Sequence, residues 1–245
     1  MQQEVALRTF PRWGHRETTV ASKRLRSAAR LLAAIAILAA CSRRSPLLWP
    51  TPADLARTGP DSFLVQLETS RGIVDLVVHR AWSPLGVDRV YFLLREGYYD
   101  GARFFRVVPG FVVQWGISRD SAVNRIWNDR DLPDEPVRQS NTRGRVSYAR
   151  AGPNTRSVQL YVNLADNARL DTATVFGFPP IGEVRGGMAV MDSMFAGYSC
   201  RRGSQGTCPS QDSIQAQGEA YLGRMFPKLD AIRKTRIVQE WRGKR

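Results

Sequence analysis

The sequence predicts a mainly β domain, a sandwich or closed barrel, and three observations lead there. Phe63, Val65 and Leu67 alternate with Leu64, Gln66 and Glu68, the period of a half-buried strand. Short apolar runs broken by Gly and Pro recur from Phe104 to Gly186, the punctuation of hairpins rather than of long helices. Helical spacing is confined to a few stretches, so the layers have to come from sheet. With 245 residues, 43% of them hydrophobic and 24% charged, the chain has the composition of a globular protein with a core to bury.

The chain divides into residues 1–40, 41–61 and 62–245. Leu31 to Ala40 is an unbroken apolar run of ten, preceded by Lys23, Arg24, Arg26 and Arg30 with no acidic residue after Glu17. A spanning helix needs roughly 20 apolar residues, so this run reads as a signal peptide. It ends in Leu38-Ala39-Ala40-Cys41, which is similar to the lipobox of bacterial lipoproteins, whose cysteine is diacylated and becomes the mature N-terminus. That likeness makes Cys41 the expected lipidation site; a plain export signal with a chance cysteine is the competing reading. The basic region is long for such a leader, and translation beginning near Val20 would shorten it. Ser42 to Pro60 carries Pro46, Pro50, Pro52 and Pro60 without helix or strand period and reads as a semi-extended tether. Lipid plus Arg43 and Arg44 predicts a membrane partner and an extracytoplasmic place in a bacterial envelope.

In the third part, Ser70-Arg71-Gly72 turns the first strand into a second, Ile73 to His79. Ser83-Pro84 then opens a helix with Val87, Val90, Tyr91 and Leu94 on one face, ended by Gly97. A second set of short strands follows, then a short helix around Met188 to Met194. Asp212 is placed to cap one further helix through Ile214, Tyr221 and Met225, stopped by Pro227, and Ile232 to Val238 reads as a closing strand.

Charge and composition narrow the chemistry. The 36 Lys and Arg against 22 Asp and Glu leave +14, which draws the protein to anionic surfaces without naming one. The basic C-terminal tail has little aromatic interleaving, so no nucleic-acid partner is expected. Only His15 and His79 exist, which excludes a multi-histidine zinc site, and three cysteines are too few for a four-cysteine one. No metal and no cofactor is expected.

The segment FFRVVPGFVVQWG, Phe104 to Gly116, resembles the cyclophilin signature F-x-R-[VI]-[VI]-P-G-F-x-x-Q-x-G. GRVSYARAGPNTRSVQLYVNLADNARLD, Gly144 to Asp171, is similar to the second cyclophilin block with its A-G-P-N-T core, and IGEVRGGMAVMDSM, Ile181 to Met194, to the third. The resemblance implies a closed eight-stranded antiparallel barrel capped by two helices, here with a C-terminal helical extension. It also implies a peptidyl-prolyl cis-trans isomerase acting on Xaa-Pro segments. Its catalytic residues would be Arg106, Phe111 and Gln114. Val112, Ala149, Arg150, Gln159, Tyr161 and Leu170 would bind substrate, Arg150 mainly through its backbone.

That chemistry suits the composition. The X-Pro bond is held planar by donation of the prolyl nitrogen lone pair into the carbonyl. A guanidinium donating a hydrogen bond to that nitrogen favours the twisted state, and arginine needs no protonation step to do so. Several positions depart from the family. Phe105 replaces a frequent histidine, Arg150 stands where Asn is usual and brings charge to the rim, and Arg169 replaces an aromatic residue, reducing the apolar floor. The 172–180 loop is longer and lacks the family's pocket histidine; the spacing back from Gly187-Met188 favours Ile181-Gly182 over Phe176-Gly177 as the next strand.

Export places Cys200 and Cys208, in a polar glycine-containing loop, where disulfides persist, so a bridge between them is expected. The reading that results is a monomeric, lipid-anchored isomerase assisting exported proteins. A noncatalytic proline-peptide module or holdase on the same barrel competes with it. Arg106, Phe111 and Gln114 speak for turnover, Arg150, Arg169 and the 172–180 loop for binding. A third reading, an envelope scaffold, would use Ser213 to Arg245 as a dispensable appendage.

Overall fold

The computed structural model describes residues 44–173, 176–198, 200 and 207–243. In chain order its elements are α1 (Pro52–Leu55), β1 (Ser62–Thr69), β2 (Ile73–His79), α2 (Pro84–Arg95), β3 (Arg106–Val108), β4 (Val112–Trp115), α3 (Ser121–Trp127), β5 (Arg145–Tyr148), β6 (Leu160–Asn163), β7 (Pro180–Gly186), α4 (Met188–Asp192), α5 (Gln211–Gln217), α6 (Glu219–Met225) and β8 (Ile232–Trp241). Alternation along β1 sends Phe63, Val65 and Leu67 inward, and β2 adds Val74, Leu76 and Val78. Between them Thr69 Oγ1 accepts from the backbone N–H groups of Arg71 and Gly72, both at 3.1 Å, and Gly72 takes φ +142° to close the turn. Helix α2 lays Val87, Val90, Tyr91 and Leu93 on the same core.

The strands form one antiparallel sheet of eight in the order β3-β4-β6-β5-β7-β2-β1-β8. It curls into a half-barrel, and the expected closed barrel is not made by a strand ladder. β3 and β8 end the sheet, and the bridge between their sides is an isolated one, Arg103 with Ala231. Phe104 N–H donates to Asp230 O at 2.9 Å and Ile232 N–H to Ala102 O at 2.8 Å around it. These contacts are made by residues ahead of β3 against Asp230 to Ile232 at the start of β8, so β3 itself forms no ladder with β8.

The segment read as a tether is largely part of the folded unit, which begins at Ser45 rather than Ser62. Leu47 and Leu48 pack on the core, Trp127 Nε1 donates to Leu47 O at 2.8 Å, and Gly59 N–H donates to Asp88 Oδ1 at 2.8 Å. Thr51 and Asp54 cap α1 reciprocally, with Pro52 at its first position, so the prolines shape turns and a helix start instead of a spacer. Cys41 and the leader lie outside the described residues.

Two helical expectations change. α3 was not anticipated among the short strands; Asp120 caps it by accepting from Ala122 N–H at 2.8 Å, and Val123 and Trp127 bury its inner face. The single helix expected from Asp212 is two, α5 and α6, capped by Ser210 and broken at Gly218. Gly218 sits at φ +58°, ψ −136°, and a Cβ there would overlap the carbonyl of Arg119, which accepts from Glu219 N–H at 2.9 Å. Ser213 to Arg245 is no appendage either, since it contains β8, the neighbour of β1.

Packing accounts for Phe105 at the position where a histidine was expected from the resemblance. Its ring is buried in a second apolar cluster with Ile117, Ile214, Leu222, Phe226 and Leu229, which fastens α5 and α6 to the sheet next to β3. An imidazole there would be desolvated among hydrocarbon side chains.

Candidate active site

Strand register builds the site. Arg106 on β3 pairs with Gln114 on β4, Gln114 with Tyr161 on β6, and Tyr161 with Ser147 on β5, so one row of side chains crosses four strands on one face. One step along each strand, Val107, Val113, Val162 and Val146 form the opposite row and fill the core. The polar row opens into a cavity of about 580 Å³. All nine catalytic and substrate-binding residues expected from the sequence line it: Arg106, Phe111, Val112, Gln114, Ala149, Arg150, Gln159, Tyr161 and Leu170.

Arg106 Nη1 donates to Gln114 Oε1 at 3.1 Å, and its guanidinium carbon lies 5.8 Å from the Phe111 ring centre. No ion pair neutralises it among the described residues, and burial lowers its pKa from the ordinary arginine value. Gln114 Nε2 donates to Gln159 Oε1 at 2.8 Å. Tyr161 Oη donates to Asn141 Oδ1 at 3.1 Å, and desolvation raises its pKa, keeping the phenol neutral. Asn141 is a hub beneath the wall. It also accepts from Ser147 Oγ at 2.7 Å and from Asn163 Nδ2 at 3.2 Å, and it donates to Asp171 Oδ1 and Phe178 O, each at 2.8 Å. Asn167 Nδ2 donates to Phe111 O at 2.9 Å, tying the loop after β3 to the same network.

Arg150 does not bring charge to the rim. Its side chain is 1% exposed, Nη1 lies 2.8 Å from Asp134 Oδ1, and its guanidinium stacks 5.4 Å from the Phe178 ring centre. Pairing is the only economical way to bury a guanidinium, and Asp134 supplies it. Arg169 is exposed, its guanidinium carbon 4.9 Å from the Phe111 ring centre. β7 starts at Pro180, so Ile181-Gly182 is the strand, and Gly177 lies in the loop at φ +59°.

Phe178, Asn128, Asp131, Gln211, Asp212 and Gln215 are among the further lining residues and lie outside the expected site set. Gly177-Phe178 ahead of a strand is a weak signal for Phe178; the others come from α5 and from the chain just after α3, which no local pattern aims at a cavity. Cys200 and Cys208 are disulfide-bonded, Cα to Cα 4.8 Å, and neither lines it.

The family model for cyclophilin type peptidyl-prolyl cis-trans isomerase matches residues 64–214. The chain belongs to this family. It is 31% identical over 169 residues to peptidyl-prolyl cis-trans isomerase A of Dickeya dadantii, covering 67% of this chain and 83% of that one. With peptidyl-prolyl cis-trans isomerase ppi1 of Schizosaccharomyces pombe it shares 35% over 117 residues, 46% of this chain and 76% of the relative. Its fold is similar to a Cryptosporidium parvum cyclophilin, with a TM-score of 0.50 at 18% identity, covering 74% of this chain and 99% of that one. A structure of that cyclophilin in the presence of the dipeptide Ala-Pro has a TM-score of 0.50 at 17% identity, over 72% and 99% of the two chains. The cyclophilin reading of the three sequence blocks holds, and with it the activity: the chain is a cyclophilin-type peptidyl-prolyl cis-trans isomerase.

Proposed function

We propose that Arg106 carries this isomerisation and that the protein performs it on exported proteins at a bacterial cell envelope. The observation behind the first half is a guanidinium with no carboxylate partner among the described residues, hydrogen-bonded to one amide and lining a cavity beside the Phe111 ring. Uncatalysed rotation about X-Pro faces a barrier of about 18 to 20 kcal/mol because lone-pair donation holds the bond planar. As the bond twists, the prolyl nitrogen becomes pyramidal and basic. A donor fixed beside it then binds the twisted state better than either planar one. Phe111, Val112, Tyr161 and Leu170 hold the pyrrolidine ring, and their apolar surface strengthens the single charged contact by excluding water. Gln114 presents its amide beside Arg106 and orients the peptide carbonyl.

Support for the envelope comes from the sequence alone: the apolar run Leu31 to Ala40, the basic residues before it and Cys41 at its end. Lipid on Cys41 would hold the folded unit, which starts at Ser45, against the membrane surface.

Two experiments test these halves. Exchange of a short Xaa-Pro peptide is followed by NMR with the purified chain and with Arg106→Ala. Acceleration by the first and its loss in a folded second are expected; acceleration that survives in Arg106→Ala refutes the assignment. Palmitate labelling in a bacterial host should mark the wild type and not Cys41→Ser, and an unlabelled wild type refutes the anchor.

A further inference from the structure

We propose that Gln211, on a helix remote in sequence from the catalytic strands, is a positioning residue for Arg106; the inference rests on the catalytic role given to Arg106 above. Three amides join the two residues in series. Arg106 Nη1 donates to Gln114 Oε1 at 3.1 Å, Gln114 Nε2 to Gln159 Oε1 at 2.8 Å, and Gln159 Nε2 to Gln211 Oε1 at 3.0 Å.

The series has one direction. A guanidinium can only donate, so Gln114 must turn its oxygen to Arg106 and its NH2 to Gln159. Gln159 must then present oxygen to Gln114 and NH2 outward. An amide flipped at either point sets donor against donor. The end of the series therefore has to be an acceptor, and Gln211 Oε1 is that acceptor. Without it Gln159 is free to rotate, Gln114 loses its second fixed partner, and the oxygen that holds the Arg106 fork toward the cavity is less tightly placed.

Gln211 is built to stay in place although it lies at the surface. Ser210 caps its helix by accepting from Ser213 N–H at 3.3 Å, and Ile214 is fully buried in the apolar cluster that also holds Phe105, the residue before Arg106. Asn124 Nδ2 donates to Ile214 O at 3.4 Å, and Gln215 Nε2 donates to Asn128 Oδ1. The same helix supplies Gln211, Asp212 and Gln215 to the cavity wall. Phe105 and Gln211 thus make one device: the first fastens the helix beside β3, and the second uses it to orient the catalytic arginine.

The test is NMR exchange kinetics of an Xaa-Pro peptide with wild type, Gln211→Ala, Gln211→Glu and Arg106→Ala, resolving kcat from KM. Gln211→Ala removes an exposed side chain and its fold is checked by thermal melting. Its kcat is expected to fall roughly 3- to 10-fold, the loss of one hydrogen bond in the relay, with KM within about twofold. Gln211→Glu keeps an acceptor oxygen and should restore kcat. Unchanged kcat in Gln211→Ala, a rise in KM alone, or failure of Gln211→Glu to rescue each overturns the positioning role. Wild-type kcat in Arg106→Ala would instead overturn the reading beneath it, so the two failures are distinct.

Discussion

Arg150 Nη1 lies 2.8 Å from Asp134 Oδ1 with both side chains almost fully buried. Arg156 and Glu135 make a second buried pair beside it, 3.0 Å apart, and Arg156 Nη1 also donates to Ser83 Oγ at 3.1 Å. The wall of the peptide cavity therefore stands on paired charges, and removing one partner takes the ion pair from a buried charge. Asp134→Ala is expected to cost about 3 to 5 kcal/mol in urea unfolding. A loss below about 1 kcal/mol would mean that water reaches Arg150.

Arg106 stays charged through the neutral range, and no histidine among the described residues lines the cavity. The rate of Xaa-Pro exchange is therefore expected to be flat from about pH 6 to 9. Arg106→Lys keeps the charge and loses the planar fork, so kcat should still fall by roughly 10- to 100-fold. A bell-shaped profile, or a lysine variant with full activity, would contradict the mechanism.

Local pattern carried the strands, and motif spacing carried the site. Phe63, Val65 and Leu67 alternate because one face of β1 is buried, and that signal survives in any reading of the sequence. The row from Arg106 to Tyr161 was legible because the signature residues sit at fixed register positions on adjacent strands. Gln211 was not legible. Nothing near it in sequence specifies that α5 meets Gln159, which depends on Ile214 reaching Phe105. Arg150 was misplaced for the same reason: its partner Asp134 lies in a loop, and burial of a charge is decided by tertiary contacts. The open sheet edge depends on how residues 101–104 meet the start of β8, a contact between segments far apart in sequence that local pattern does not carry.

Asp230 couples stability to acid. Burial raises its pKa, but donors from Ser70 Oγ at 2.6 Å, Phe195 N–H at 2.8 Å and Arg71 Nε at 2.9 Å outweigh that and hold the carboxyl below its usual range. The unfolded chain then takes up the proton first as pH falls. Asp230 stabilises the native state at neutral pH, and that contribution is lost as pH drops below about 4 through the folded value. Asp230→Asn should be less stable than wild type at pH 7, with the gap shrinking toward about pH 2 in urea titrations. A gap independent of pH would assign the effect to packing.

Gly218 and Gly223 lie five positions apart on the C-terminal helical pair and should respond oppositely to the same change. At Gly218, φ +58° and ψ −136° belong to glycine alone, and a Cβ would strike the Arg119 carbonyl. Gly218→Ala must either strain the backbone, at about 1 to 3 kcal/mol, or shift α5. In the second case Gln211 moves off Gln159 and kcat falls with stability. At Gly223, inside α6, a Cβ meets only Glu219 Oε1 at 3.4 Å, so Gly223→Ala gains helix propensity and should stabilise by about 0.5 to 1 kcal/mol. Thermal melts of the two variants check the pair. Equal melting temperatures would show that the break between α5 and α6 is not imposed by Gly218.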